Sequence, residues 1–225
     1  MSAASGKGSA IQFPPVIMIA TLGLRVHSGW AAVVALGGPT SAPRVLARQR
    51  LEFADAKLAY SKQPYHAAAE RPIPEAEKLI AQCMQSSADL AFLGMRGIVD
   101  ELKAAGARVS ACGLLLGSGK PLPELVGILR SHALIHTAEG EMFRGVLAQA
   151  AERLGVRVIG VKEKQIWPEA ATRLNQSDAA IAAHLKAVGK SIGPPWREDE
   201  RLATLVAWIA LAQTAPRAAI STKSR

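Results

Sequence analysis

The stretch Ser131-His-Ala-Leu-Ile-His-Thr-Ala-Glu-Gly-Glu-Met-Phe-Arg144 gathers two histidines, two glutamates and an arginine into fourteen positions. Imidazoles and carboxylates are the side chains that move protons near neutral pH and hold divalent cations. Glu139 and Glu141, with Asp199 from the run Glu198-Asp-Glu200, could share hard cations through oxygen, with His136 assisting. On a regular helix two residues in the relation of Glu139 and Glu141 point about 200° apart, so joint action needs an irregular backbone. A structural reading stands beside this one. Thr137 caps a helix, Glu139 sits in its first turn where the dipole favours an anion, and Glu141 pairs with Arg144. His132 and His136 share a helix face within reach of one zinc ion, whereas in a strand they lie about 13 Å apart. The intervening Leu134-Ile135 favours the strand, and no His-Glu-x-x-His motif accompanies them.

Two other motifs carry less. Gly117-Ser-Gly-Lys120 follows an apolar run as a phosphate loop would, but it is too short, and Pro121 stands where a magnesium-binding hydroxyl belongs. Its backbone amides, beside Lys120, still offer contacts to an anion; a plain turn is the simpler reading. His27-Ser-Gly29 lacks the Gly-x-Ser-x-Gly frame of a nucleophile elbow and reads as a hairpin turn.

The 225 residues carry 27 lysines and arginines against 18 aspartates and glutamates, a net charge of +9. That balance suits a polyanionic partner, nucleic acid foremost, with Arg25, Arg48, Arg50, Lys120 and Arg144 as candidate phosphate contacts. Aromatic residues make up only 4%, a poor supply for stacking single-stranded bases. Cys83 and Cys112 are isolated in apolar surroundings, which predicts buried thiols and a reducing, cytoplasmic setting. No run reaches the roughly 18 apolar residues that span a bilayer, so no membrane segment is expected.

The elements that must position these groups follow from periodicity. Residues 1–11 are small and polar and predict a disordered arm. Val16–Leu24 reads as a buried strand, Arg25–Gly29 as a turn, and Trp30–Leu36 as a second strand. Arg44–Phe53 alternates like a strand with one wet face, near a sheet edge. A polar, proline-marked connection leads to a helix over Glu75–Ala105, with a bend or break at Gly94 and Gly97. Val109–Leu116 is a fourth strand, Leu122–Leu129 a short helix, Gly145–Leu154 another, and Val156–Val161 a fifth strand. Pro168–Val188 and Arg197–Gln213 close the chain as helices, the last with Leu202, Leu205, Val206 and Ile209 on its core stripe. A basic, loose tail is expected over 214–225, leaving one domain over 12–213. The order β-β-β-α-β-α-β-α predicts a three-strand antiparallel meander, then parallel strands through right-handed crossovers, with helices on both faces.

Three segments carry a resemblance. Leu22-Gly-Leu-Arg-Val-His-Ser-Gly-Trp-Ala-Ala-Val-Val34 resembles an opening hairpin whose first strand ends glycine–apolar–acid. Val156-Arg-Val-Ile-Gly-Val-Lys-Glu-Lys-Gln-Ile-Trp167 resembles a fifth strand and its exit, and Arg197–Ala210 a closing helix that opens on an acid. With the element order, these resemble the ribonuclease H-like fold superfamily, and within it the RuvC-type Holliday junction resolvase branch. The resemblance implies a nuclease with magnesium or manganese held by carboxylates of the first strand, the fourth strand and the last helix. The first-strand acid falls at Arg25, and the chain has no carboxylate between Glu101 and Glu124, where the fourth-strand acid belongs. Of these positions only the closing helix complies.

The expectation is a five-stranded α/β protein of ribonuclease H-like type, catalytically degenerate, binding nucleic acid or a protein partner. A metal-dependent nuclease built on Glu139, Glu141 and Asp199, with His136 assisting, is the alternative reading. A third is a protein-interaction scaffold or homodimer subunit.

Overall fold

A computed structural model describes residues 17–117, 119 and 121–214. Lys120, the arm expected over 1–11 and the tail from residue 215 lie outside them. Strands β1 (Met18–His27) and β2 (Trp30–Gly37) form a hairpin in which His27 faces Trp30 across Ser28-Gly29. Gly29 has φ +79°, and a Cβ there would meet Ala54 Cβ at 2.3 Å, so both conformation and space call for glycine. Strand β3 (Arg44–Glu52) pairs antiparallel with β2 and leaves Arg44, Arg50 and Glu52 exposed on the face its alternation marks as wet, and Gln49 exposed as well, against the alternation. Strand β4 (Ala107–Leu116) runs parallel to β1, and β5 (Arg157–Lys162) parallel to β4. The sheet order is β3-β2-β1-β4-β5, the mixed architecture expected from the element order.

Short helix α1 (Pro64–Ala68) precedes α2 (Ile73–Ala104), which runs unbroken for 32 residues. No break occurs at Gly94 or Gly97. Gly94 is instead a crossing point, where a Cβ would meet Leu51 Cδ1 of β3 at 2.2 Å. Helix α3 (Leu125–Leu129) is brief, and α4 (His132–Arg153) begins a full three turns before the expected Gly145. On the far side of β5, a single 3-10 turn (Glu163–Gln165) leads into α5 (Ile166–Leu174), α6 (Asp178–Ile192) and α7 (Glu198–Thr214). The one helix expected over 168–188 is thus two. Asn175 adopts the left-handed conformation (φ 51°, ψ 47°), and the Ser177 hydroxyl accepts the amide N–H of Ala180 to cap the second.

Alternation in β1 assigns the two faces of the sheet. Ala20, Leu22 and Leu24 pack with Met95 and Ile98 of α2 and with Phe143 and Leu147 of α4. Thr21, Gly23, Arg25 and His27 face α7. That helix is buried on every side from Leu202 to Leu211, not along one stripe, because the sheet lies beneath it and α5 and α6 flank it. Two glycines admit it. A Cβ at Gly23 would stand 1.9 Å from Ala203 O, and one at Gly113 would stand 2.3 Å from Val206 O. The Thr21 hydroxyl donates to Ala207 O at 2.8 Å, and Trp208 Nε1 donates to Thr40 O at 2.8 Å, fixing the helix along and across the strands. The N-terminus of α7 is therefore held over the end of β1.

Candidate functional site

At that junction the last α7-facing residues of β1 meet the first turn of α7. Arg25 Nη2 donates to Glu163 Oε1 at 3.0 Å, and its Nε lies 3.2 Å from Asp199 Oδ1. His27 Nε2 shares the same Asp199 oxygen at 2.9 Å. The Arg25 side chain is only 18% exposed, Asp199 27% and Glu163 44%, so the cation is the most sheltered member. Asp199 is the second residue of α7, where the helix dipole favours a negative charge. Glu200 Oε2 accepts the backbone N–H of Arg197 at 2.7 Å and closes the same end. Glu163 escaped sequence reasoning, since it sits 138 residues from Arg25 in a turn whose position depends on β5.

Beside this centre lies a cleft of about 430 Å³, lined by Trp30, Arg48, Arg50, Arg197 and Asp199 among others. The His27 ring stacks on Trp30 at 4.1 Å and 8°, and Arg50 Cζ stands 3.4 Å from the Trp30 ring centroid. Arg50 also pairs with Glu52. Arg48 is committed to structure. It donates to the carbonyls of Gly193 at 2.9 Å, Pro194 at 3.2 Å and Pro195, holding the segment that delivers α7. Of the expected phosphate contacts, Arg25, Arg48, Arg50 and Arg144 all have partners within the protein, Arg50 on the exposed face of β3, and Lys120 lies outside the described residues.

The carboxylates expected to gather do not converge. Helix α4 is regular through its first half, so Glu139 and Glu141 point to opposite sides. Glu141 Oε1 accepts from Arg144 Nη1 at 3.1 Å, and Arg144 Nε donates to Leu115 O at 3.2 Å, tying this pair to the end of β4. Glu139 is buried, 3% exposed, and accepts from His66 Nδ1 at 3.0 Å and from the His66 backbone N–H at 3.2 Å. Burial first, then the Glu139 charge, pushes the neighbouring Tyr65 hydroxyl above its ordinary 10.0. Asp199 meets neither glutamate. Thr137 does not cap the helix; its hydroxyl donates to Ala133 O at 2.9 Å from within the helix, and Ser131 is the N-cap residue. His132 and His136 are helical, not extended. They stand one turn apart beside His66 of α1.

No protein-family model matches the chain, and no curated protein sequence matches it. Among solved structures, Thermus thermophilus RuvC in complex with Holliday junction substrate is similar, with a TM-score of 0.50 at 10% identity over 86% of this chain and 93% of that one. A second structure of RuvC from Thermus thermophilus gives a TM-score of 0.48 at 10% identity with the same coverage. The fold is ribonuclease H-like, of the RuvC-like form. No described helix is long and apolar enough to cross a membrane.

Proposed function

We propose that this protein is a ribonuclease H-like protein without a two-metal nuclease centre, which binds nucleic acid at the surface around the α7 N-terminus. One observation carries the reading: the Arg25 guanidinium touches both Asp199 and Glu163. Two-metal hydrolysis needs cations roughly 4 Å apart bridged by oxygen ligands. Here a protein cation stands against the carboxylates that would hold them. Strand β4 ends Leu114-Leu-Leu116 and is followed by Gly117, without an acid, and Glu141 is tied to Arg144. These residues do not fit a magnesium or manganese pair.

Support for nucleic acid comes from the net charge of +9 and from the cleft beside the ion-pair centre. Arg50 and Arg197 line that cleft and give cations for phosphate, while Trp30, with His27 on one face and Arg50 on the other, holds Arg50 in place. The similar RuvC structure holds a Holliday junction, so branched DNA is the first ligand to try.

Labelled branched DNA, duplex DNA, RNA and RNA–DNA hybrid are incubated with magnesium or manganese against EDTA, and binding is followed across a salt series. The expected result is no cleavage, with affinity falling steeply as salt rises. Arg50→Ala with Arg197→Ala should flatten the log–log slope by about 0.9 for each phosphate that is no longer neutralised. Metal-dependent cleavage abolished by Asp199→Ala would overturn the non-catalytic reading. Absence of salt-sensitive binding would overturn the nucleic-acid reading in favour of a protein partner or a second copy of the chain.

A further inference from the structure

Three of the chain's five histidines converge away from the α7 site. His66 comes from α1, and His132 and His136 come from successive turns at the start of α4. One ring nitrogen from each lies within 4.8 Å of the others. The ring centroids are 4.4 Å apart for His132 and His136, 4.6 Å for His66 and His136, and 5.2 Å for His66 and His132. Among the described residues this is the one set of three histidine, cysteine or acidic side chains so gathered.

From this cluster and its buried carboxylate we propose that His66, His132 and His136 bind one zinc ion, with Glu139 orienting His66. Zinc takes imidazole nitrogens at about 2.0–2.1 Å, which puts tetrahedral ligands roughly 3.3–3.5 Å apart. His132 and His136 are exposed, so their rings can close the remaining distance by side-chain rotation alone. Three imidazoles with a fourth position facing water suit zinc and borderline transition metals, and suit magnesium poorly.

Glu139 supplies an independent reason. Among the described residues it has no lysine or arginine partner, and a lone buried carboxylate is costly. Its two contacts both go to His66, one to the ring and one to the backbone. The ring contact puts the His66 proton on Nδ1 and leaves the Nε2 lone pair for the metal. A metal on Nε2 makes the Nδ1–H a stronger donor, so the ion and the buried acid reinforce each other through the ring. Bound zinc would join α1, in the connection between β3 and α2, to the start of α4. None of this depends on the nucleic-acid reading.

The test uses the full chain stripped of metal, titrated with zinc against a chromophoric chelator, and with cobalt for its absorption spectrum. The expected result is one zinc per chain and intense four-coordinate cobalt bands. Replacing both exposed ligands, His132→Ala with His136→Ala, should weaken zinc by at least about 100-fold, and Glu139→Gln by about 10–100-fold. Circular dichroism checks that each variant keeps its helices. A wild type that holds zinc no better than the double variant, or cobalt that keeps a six-coordinate spectrum, overturns the site. Unchanged affinity in Glu139→Gln overturns the role of the carboxylate.

Discussion

Replacing Arg25 tests whether its guanidinium serves as an internal cation. Arg25→Met keeps the length of the side chain and removes two charge contacts, at 3.0 Å to Glu163 and 3.2 Å to Asp199. Fully exposed pairs contribute about 0.2–1 kcal/mol each, and breaking a buried pair costs about 3–5 kcal/mol. With Arg25 18% exposed and its partners 27% and 44%, the loss falls between, at about 1–2 kcal/mol. For a chain of this length that is a fall in Tm of about 3–6 °C. Arg25→Asp goes further, because attraction becomes repulsion at both contacts, and the fall should roughly double. The assay is thermal unfolding by circular dichroism in EDTA and in millimolar magnesium, an ion that avoids the imidazoles of the histidine cluster. Magnesium should leave wild type and Arg25→Met unmoved and recover several degrees in Arg25→Asp, whose new carboxylate completes an oxygen-only group with Asp199 and Glu163. A wild type stabilised by magnesium as much as Arg25→Asp would refute the reasoning. So would an Arg25→Met protein as stable as wild type, since desolvation would then cancel the ion pairs.

Two further predictions concern the scaffold. Gly113→Ala places a Cβ 2.3 Å from Val206 O and should force α7 off the sheet, at a cost of about 3 kcal/mol or more in urea unfolding. Gly145→Ala meets nothing within 4 Å on α4 and should instead stabilise by about 0.5–1 kcal/mol; equal effects at the two positions would contradict the packing described. Burial pushes the Cys112 thiol from its ordinary 9.0 up to about 12, and Cys83 and Tyr65 are also raised. These groups keep their protons in the folded state, so their stabilisation is complete below pH 9 and drains away as pH climbs from 9 towards 12. Cys112 alone accounts for a loss on the order of 4 kcal/mol across that window. Urea midpoints at pH 8 and at pH 10–11 should show the fall. A flat profile would mean that Cys112 reaches solvent.

The fold was legible because its strands differ in kind along the chain. Trp30–Leu36 is apolar without a break, as a strand covered on both faces must be, whereas Arg44–Glu52 alternates as an edge strand does. The start of α4 was hidden by its chemistry. Ile135, Ala138, Met142, Val146 and Ala150 form a continuous buried stripe, but histidine, threonine and Gly140 between them weaken helical propensity, and Leu134-Ile135 favours a strand. Tertiary packing on α2 overrides that weakness. The split between α5 and α6 did leave a signal in Asn175-Gln-Ser177, a left-handed residue followed by a cap. Helix α1 left almost none, since five residues provide a single turn and no period.

The two sites differ in what sequence can reveal about them. Arg25 was conspicuous by type, a cation where the resembling family carries an acid, and the loss of an oxygen ligand could be reasoned from that position alone. What holds Arg25 in place could not, because Asp199 and Glu163 reach it only once α7 is seated on Gly23 and Gly113 and β5 has joined the sheet. The histidine cluster inverts this. His132 and His136 were visible as a pair at helical spacing, but a pair is ambiguous between helix and strand, and two ligands do not make a zinc site. The third ligand lies in the element that sequence reasoning missed, and the buried acid that orients it was assigned to another task. Glu139 can be read as a nuclease ligand only while α4 is irregular. Once the helix is regular, the 200° between Glu139 and Glu141 sends one carboxylate to the end of β4 and the other to His66. The same helical periodicity that dismantles the expected carboxylate cluster assembles the histidine one.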